Sequence, residues 1–331
     1  MVDREASSYN TATLQKWRQS REEDLAERER VRSQSHFERT LAWLDCKQRY
    51  QEDALDSLRD KCYADTADWI IQHQKVASWI GDVDRHDTLW IHGIPGSGRL
   101  QIPFLSSTLT IVGKSVLSSK LIDHLHQGGG LAVAYYICKY QPTADLDSCS
   151  DMLRSIATQL VKQKPELAAY VHDEYIQKGE PESKKTMRSL IPALVTAFSR
   201  TRIIIDGIDE LVDTKQKEML SILKTLTDGI PNGTTCKFAI FSRDIPLIRK
   251  AQRKQPHINL RDERHDTDSS IRTYVQHEMQ LLRLDLHDSM LPDGFMDEIE
   301  SKLVLKADGT SAGHPQLTAL TIYQACFSGS D

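Results

Sequence analysis

The chain has 331 residues, a formal net charge of −5 and 39% hydrophobic residues, enough to bury a real core in one large domain with extensions or in two domains. That mildly acidic balance gives no global pull toward nucleic acid. Six scattered cysteines without a CxxC pair, twelve histidines without HExxH or finger spacing, and the lack of any run of about eighteen apolar residues speak against a disulfide framework, a structural zinc of the usual spacings and a membrane-spanning helix.

The opening "MVDREASSYN" lacks the basic-then-apolar pattern of a signal peptide, so a cytoplasmic chain with reduced thiols is expected. Residues 12–60 are dense in charge and hold no Gly or Pro, which predicts a helix or a helical hairpin. Phe37, Leu41 and Leu44, spaced i, i+4, i+7, mark a short docking face. The heptads are too irregular for a coiled coil. Residues 1–60 read as a charged helical N-terminal extension.

From about residue 87 the texture changes. "TLWIHG" (88–93), "LAVAYYI" (131–137), "RIIIDG" (202–207), "KFAIFS" (237–242) and "HINL" (257–260) read as strands. Helices with a buried stripe lie between them: Leu146, Cys149, Leu153, Ile156 and Leu160 in one, Met219, Ile222, Leu223 and Leu226 in another. Continuous β-branched runs separated by helices mean a parallel sheet covered on both faces, an α/β architecture. Ligands in such sheets bind beyond the carboxyl ends of the strands. Residues 178–186 read as a polar loop. Residues 261–270 read as a charged linker, with Asp268 or Ser269 capping a helix that follows.

After the first strand comes "GIPGSG" (93–98), with Gly93, Gly96 and Gly98 suited to a turn whose N–H groups face phosphate. A lysine and then Ser or Thr must follow, to reach the β and γ phosphates and to hold Mg²⁺. Arg99 and Leu100 stand there instead, and Leu100 cannot bind magnesium. Fifteen residues on, "GKSVLSSKLIDHL" supplies Lys114 and Ser115 at the front of an apolar-striped helix. Without residues 99–113 the text reads "LWIHGIPGSGKSVLSSKLIDHL", a complete phosphate loop between strand and helix. A lid-like insertion would split the loop between its backbone nest and its lysine. The segment therefore reads as translated intron sequence, and weak nucleotide binding is expected of the chain as written.

"RIIIDGIDEL" places Asp206 at the end of a buried strand, with Asp209 and Glu210 one short turn on. A carboxylate there can hold the water shell of Mg²⁺ and a second can orient or deprotonate an attacking water. "KFAIFSRD" ends a further strand with Ser242 and Arg243, a cation placed to sense the γ-phosphate.

These residues resemble the NACHT modules of the STAND class of P-loop NTPases, the nucleotide-binding cores of NOD-like receptors, and most of all their fungal and nephrocystin-like branch. "WLDC" (43–46), "DTADWIIQHQKVASWI" (65–80), "LWIHGIPGSG…KS", "IIIDGIDEL", "FSR" and "DSSIRTYVQHEM" occur in the family's order, over about residues 37–309. The resemblance implies a P-loop NTPase three-layer sandwich over 61–262, a helical segment over 263–309 and an irregular tail over 310–331. It implies ATP or GTP with Mg²⁺ as cofactor. Lys114 would bind phosphate, Ser115 ligate Mg²⁺ and Asp206 hold the metal through water. Asp209 or Glu210 would position the hydrolytic water, and Arg243 would act as sensor. Thr66 and Trp69 would lie near the base. The sensor strand would sit between the phosphate-loop strand and the Asp206 strand. After Gly309 the text turns polar where the family continues apolar, and the chain reads as the front part of a longer receptor.

Two functions compete, a nucleotide-dependent signalling switch with slow hydrolysis and a degenerate scaffold that keeps the fold without nucleotide. A metabolic kinase fits less well, since nothing marks an acceptor site. Nucleotide and protein partners are expected, with no nucleic acid and no membrane.

Overall fold

The computed structural model describes residues 2–45, 48–63, 66–82, 86–93, 99–100, 109–110, 113–139, 147–227, 230–231, 233–263, 269–270, 273, 276–277 and 280. The helices are α1 (Val2–Leu44), α2 (Gln48–Arg59), α3 (Trp69–Gln72), α4 (Gln74–Ile80), α5 (Lys114–Gly128), α6 (Ser148–Gln163), α7 (Leu167–Val171), α8 (Lys184–Val195), α9 (Asp213–Thr227) and α10 (Pro246–Gln252). The strands are β1 (Thr88–Gly93), β2 (Arg99–Leu100), β3 (Leu109–Thr110), β4 (Ala132–Ile137), β5 (Arg200–Asp206), β6 (Thr235–Arg243) and β7 (His257–Asn259).

Five strands form one parallel sheet in the order β4-β5-β6-β1-β7. The five expected strands are all present, and β6 separates β1 from β5. Successive side chains on a strand face opposite ways, so an unbroken apolar run must feed two cores. Ile203 and Ile205 of β5 join Trp90, Phe238 and Ile240 in one core, and Ile204 joins Leu89, Ile91, Ala239 and Phe241 in the other. Each such burial contributes about 1.5–3 kcal/mol. The first core is closed by α6, α8 and α9 through Leu153, Ile156, Leu160, Leu190, Leu194, Met219 and Leu223. The second is closed by α2 to α5 through Leu55, Ile70, Trp79, Leu117 and Leu121. The result is three layers, helices over both faces of a parallel sheet.

The expected N-terminal helix runs unbroken to Leu44, about 65 Å at 1.5 Å per residue. Residues 16–34 are exposed, while Phe37 and Leu41 pack on the first core and Leu44 is fully buried in it. By contrast α2, also charged, inserts Ala54 and Leu55 into the second core. The expected polar loop over 178–186 ends earlier than its composition suggests. Ser183 caps α8 by accepting from Thr186 N–H at 3.2 Å, so Lys184, Lys185 and Thr186 are already helical.

The outer edge of the sheet is closed by three glutamines. Gln163 bonds both backbone groups of Val133 (2.9 and 2.6 Å), Gln159 both of Tyr135 (3.0 and 2.8 Å), and Gln51 both of Ile137 (2.7 and 3.3 Å). Each primary amide mimics the backbone of a sixth strand and satisfies an edge that would otherwise pair with another chain. At the opposite end of the strands, fully buried Arg202 donates to Asp82 at 2.6 Å and to the Ile80 carbonyl at 2.9 Å. Lys237 reaches the same carboxylate at 3.3 Å.

Arg99 pairs with Thr110 and Leu100 with Leu109, antiparallel, so β2 and β3 form a separate two-stranded sheet. Ser269, Ser270, Thr273, Gln276, His277 and Gln280 are helical, and the His277 ring stacks on Tyr63 at 4.0 Å. The expected Asp268 cap, the remainder of 263–309 and the tail over 310–331 lie outside the described residues. Among the described residues no helix is long and apolar enough to cross a membrane.

Candidate functional site

Parallel strands deliver their carboxyl ends to one edge of the sheet. There Gly93 of β1 stands in register with Arg243 of β6, and Asp206 of β5 with Phe241. A Cβ on Gly93 would come within 3.3 Å of Leu260, so the chain leaves β1 where a side chain has little room. Helix α5 begins at Lys114 behind Gly113, and its buried Val116, Leu117, Leu121 and Ile122 hold it against the sheet. That packing aims the helix N-terminus, with its unpaired N–H groups and positive dipole end, toward the strand ends.

After Asp206 the backbone turns through Gly207 at φ 81°, a left-handed conformation suited to glycine. A Cβ there would also meet the Cys138 carbonyl at 3.2 Å. This turn starts the 3-10 segment Ile208–Glu210, which swings Asp209 and Glu210 back beside Asp206.

The acids and the cations meet. The Ser115 hydroxyl donates to the Asp206 carboxyl. That carboxyl is raised from 3.8 to about 7: burial does most of this, Glu210 and Asp209 add to it, and Ser115 and Lys114 oppose them. Burial lowers the pKa of the Lys114 ammonium, while Asp209, Asp206 and Glu210 pull it back up and Arg243 adds to the lowering. Arg243 donates to Asp209 twice, from its backbone N–H at 2.9 Å and from Nε at 3.1 Å. Asp209 is nearly buried there, whereas the Arg243 side chain is 45% exposed and free to swing toward solvent. Behind it, the Ser242 hydroxyl accepts from Trp90 Nε1 at 2.8 Å and fixes the end of β6 against β1.

Of the expected site residues, Lys114, Ser115, Asp206, Asp209, Glu210 and Arg243 therefore form one cluster despite the long separations between them in the chain. Gly93 ends the strand beside it. Gly96 and Gly98 lie outside the described residues. Thr66 is buried and donates to the Tyr63 carbonyl at 2.8 Å. Trp69 opens α3, and its neighbour Asp68 is ion-paired with Lys120 of α5. The buried indole N–H of Trp69 meets no acceptor among the described residues. Sequence reasoning missed one group beside the cluster, Cys138, a buried thiol pushed well up by its burial and then by Asp206. His92, one residue before Gly93, packs instead among Trp90, His257 and Asp244; it stacks on Trp90 at 3.9 Å, and burial pulls it down to about 4. A lone Cys or His at a strand end gives no sequence signal.

The family described as "Nephrocystin 3, N-terminal" matches residues 65–243, more than half of the chain. The chain belongs to this family. The matched span begins just before Trp69 and closes on Arg243, so it encloses every expected site residue of the nephrocystin-3 N-terminal module. The chain has the module's α/β P-loop NTPase fold. It is also similar to the vegetative incompatibility protein HET-E-1 of Podospora anserina, 20% identical over 266 residues. That alignment takes in 76% of this chain and only 18% of HET-E-1. Among solved structures, the Aeropyrum pernix ORC2 protein in ADPNP and ADP complexes matches with a TM-score of 0.37 at 13% identity, over 72% of this chain and 66% of its own. Drosophila ORC bound to poly(dA/dT) DNA and Cdc6 matches with 0.33 at 12%, over 83% and 42%. Likenesses that distant add no argument about the site or its partners.

The donor set fits a magnesium nucleotide. A serine hydroxyl and a buried carboxyl already in contact are hard oxygen ligands of the kind Mg²⁺ takes beside phosphate oxygens. The adjacent lysine and helix N-terminus supply positive charge for the phosphates.

Proposed function

We propose that this nephrocystin-3 N-terminal module is a nucleotide-binding switch that takes ATP or GTP with Mg²⁺. The observation that carries the proposal is the meeting of Ser115 with Asp206 beside Lys114, at the N-terminus of a helix and the carboxyl end of a parallel sheet. In this reading Lys114 and the α5 N–H groups bind phosphate, together with the loop carrying Gly93, Gly96 and Gly98. Ser115 and Asp206 would hold Mg²⁺, which would supply charge neutralisation for the phosphates. Asp209 is paired with Arg243, and Asp209 or Glu210 would orient the hydrolytic water. Arg243, now paired with Asp209, is the cation that would turn to a bound γ-phosphate and so sense it. The orphaned Trp69 N–H offers a donor to the base or ribose. The working unit is the expected 61–262 span together with α2, whose apolar face closes the second core. Partner proteins respond to the state of this unit, without nucleic acid or membrane, in the cytoplasm.

The proposal is tested by titrating fluorescent ATP and GTP into the full chain, a form lacking residues 99–113 and the Lys114→Ala variant of each, with Mg²⁺ or EDTA. Deletion joins Gly98 to Lys114 and is expected to raise Mg²⁺-dependent affinity; Lys114→Ala should abolish it. Loss of binding in every form, with the fold intact, would leave the scaffold reading. Unchanged binding after Lys114→Ala would remove Lys114 from the site.

A further inference from the structure

Two imidazoles and a carboxylate meet far from the nucleotide cluster, where α1 crosses the end of α7. The rings of His36 and His172 stack with centroids 4.1 Å apart and planes inclined by 10°. His172 Nδ1 lies 2.9 Å from Asp173 Oδ1. One donor atom from each of the three residues falls within 4.8 Å of the other two. The crossing is held on the C-terminal side of His36. Thr40 Oγ1 donates to the Ala168 carbonyl at 3.2 Å, and Trp43 Nε1 donates to the Glu180 carbonyl at 3.1 Å.

A second feature coincides with the cluster. His172 and Asp173 open a π-helical turn, His172–Ile176, which occurs nowhere else among the described residues. The wider turn is rare because its hydrogen bonds and packing are poorer than those of an α-helix, and it recurs where side chains are placed for a ligand. Here it presents two consecutive donors, His172 and Asp173, toward α1. A competing cluster, Asp147 with Cys149 and Glu218, already has its cations: Lys184 and Lys215 each bridge Asp147 and Glu218. No cation bridges His36, His172 and Asp173 among the described residues, although the charge of Arg32 reaches both His36 and Asp173.

We propose that His36, His172 and Asp173 form a binding site for a transition-metal dication of the zinc class, with water completing the coordination. Imidazole nitrogen and carboxylate oxygen are the donors such ions prefer, whereas Mg²⁺ and Ca²⁺ favour all-oxygen shells. Tetrahedral ligands at about 2.1 Å stand about 3.4 Å from one another, so the present spacing needs only side-chain adjustment. Parallel rings cannot both aim a lone pair at one ion, so one imidazole turns about its Cβ–Cγ bond on binding. The ion then fastens the root of the long exposed α1 to the body of the domain. It is a site that no sequence spacing announces, because its two histidines lie on separate helices far apart in the chain. Exposed Arg32 and Arg39 flank His36 on α1, so added salt should not strip the ion as it would from a diffuse acidic patch.

The test is a titration of the full chain with Co²⁺ and then Zn²⁺, following visible Co²⁺ absorption and the thermal midpoint. One equivalent of Co²⁺ should give a d–d spectrum that Zn²⁺ displaces, and Zn²⁺ should raise the midpoint. His36→Gln and His172→Gln should each weaken binding at least about tenfold, with far-UV circular dichroism unchanged. Should either variant misfold, carbethoxylation of the wild-type chain mapped by mass spectrometry decides: Zn²⁺ should protect His36 and His172 but not exposed His86. No saturable binding by the wild type, equal binding by folded variants, or unprotected His36 and His172 would overturn the proposal.

Discussion

Replacing Asp206 by Asn isolates the electrostatic cost of the candidate site. The Asp206 carboxyl is 3% exposed, and its pKa is raised from 3.8 to about 7, by burial first and by Glu210 and Asp209 after it, against Ser115 and Lys114. In the unfolded chain the group ionises near its ordinary value, about 3.9. Between those values the folded state holds the proton more tightly than the unfolded one, so stability falls as pH rises. The full contribution is present below about pH 4 and is lost by about pH 7. A shift of roughly three units at about 1.4 kcal/mol each amounts to about 4 kcal/mol, of which about 2–3 kcal/mol is lost between pH 5 and pH 8. Asn keeps the shape and an acceptor for Ser115 but cannot ionise. Urea unfolding of both proteins in EDTA, at pH 5, 6, 7 and 8, should show the variant gaining about 2–3 kcal/mol on the wild type across that range. In the proposed reading the same substitution removes a magnesium ligand, so the variant should also lose stabilisation by Mg²⁺-nucleotide. A stability difference that stays constant with pH, or that moves the other way, would refute the reasoning.

Asp82→Ala should destabilise the fold by about 3–5 kcal/mol, because it leaves Arg202 and Lys237 buried without their carboxylate. Burial raises the Asp82 pKa, but Arg202 and Lys237 outweigh it and leave the group below its ordinary value. The wild-type advantage over the alanine variant should therefore shrink as pH falls through that depressed pKa, a trend opposite in sign to that of Asp206, and acid titration of unfolding midpoints checks it. Gln159→Leu should cost about 1–3 kcal/mol, since both backbone groups of Tyr135 lose their partner. Light scattering should also rise as the bared β4 edge recruits other chains, and a variant as stable and monodisperse as wild type would show the glutamine ladder to be dispensable.

Much of the candidate site was legible because its chemistry is local. "RIIID" can only be a strand buried on both faces, and a carboxylate ending it must lie at the sheet's carboxyl edge. "GKS" ahead of an apolar-striped run can only open a helix. The choice between Asp209 and Glu210 was not legible, because both follow the same glycine turn. The structure adds that Asp209 is the one Arg243 contacts. At α2 the structure adds a detail the charge density hides: two neighbouring apolar side chains, Ala54 and Leu55, enter the second core against α5 and β4.

The sequence by itself determined the periodicities: five strands, the stripes of α6 and α9, and the acidic and basic residues that end particular strands. Those follow from backbone geometry acting over a few residues. Only the tertiary structure decided which strand neighbours which, that Gln51, Gln159 and Gln163 complete the β4 edge, that Arg202 is wholly buried, and that His36 meets His172. Each of these joins groups distant along the chain, and no local pattern encodes a contact whose partner is set by how whole layers pack.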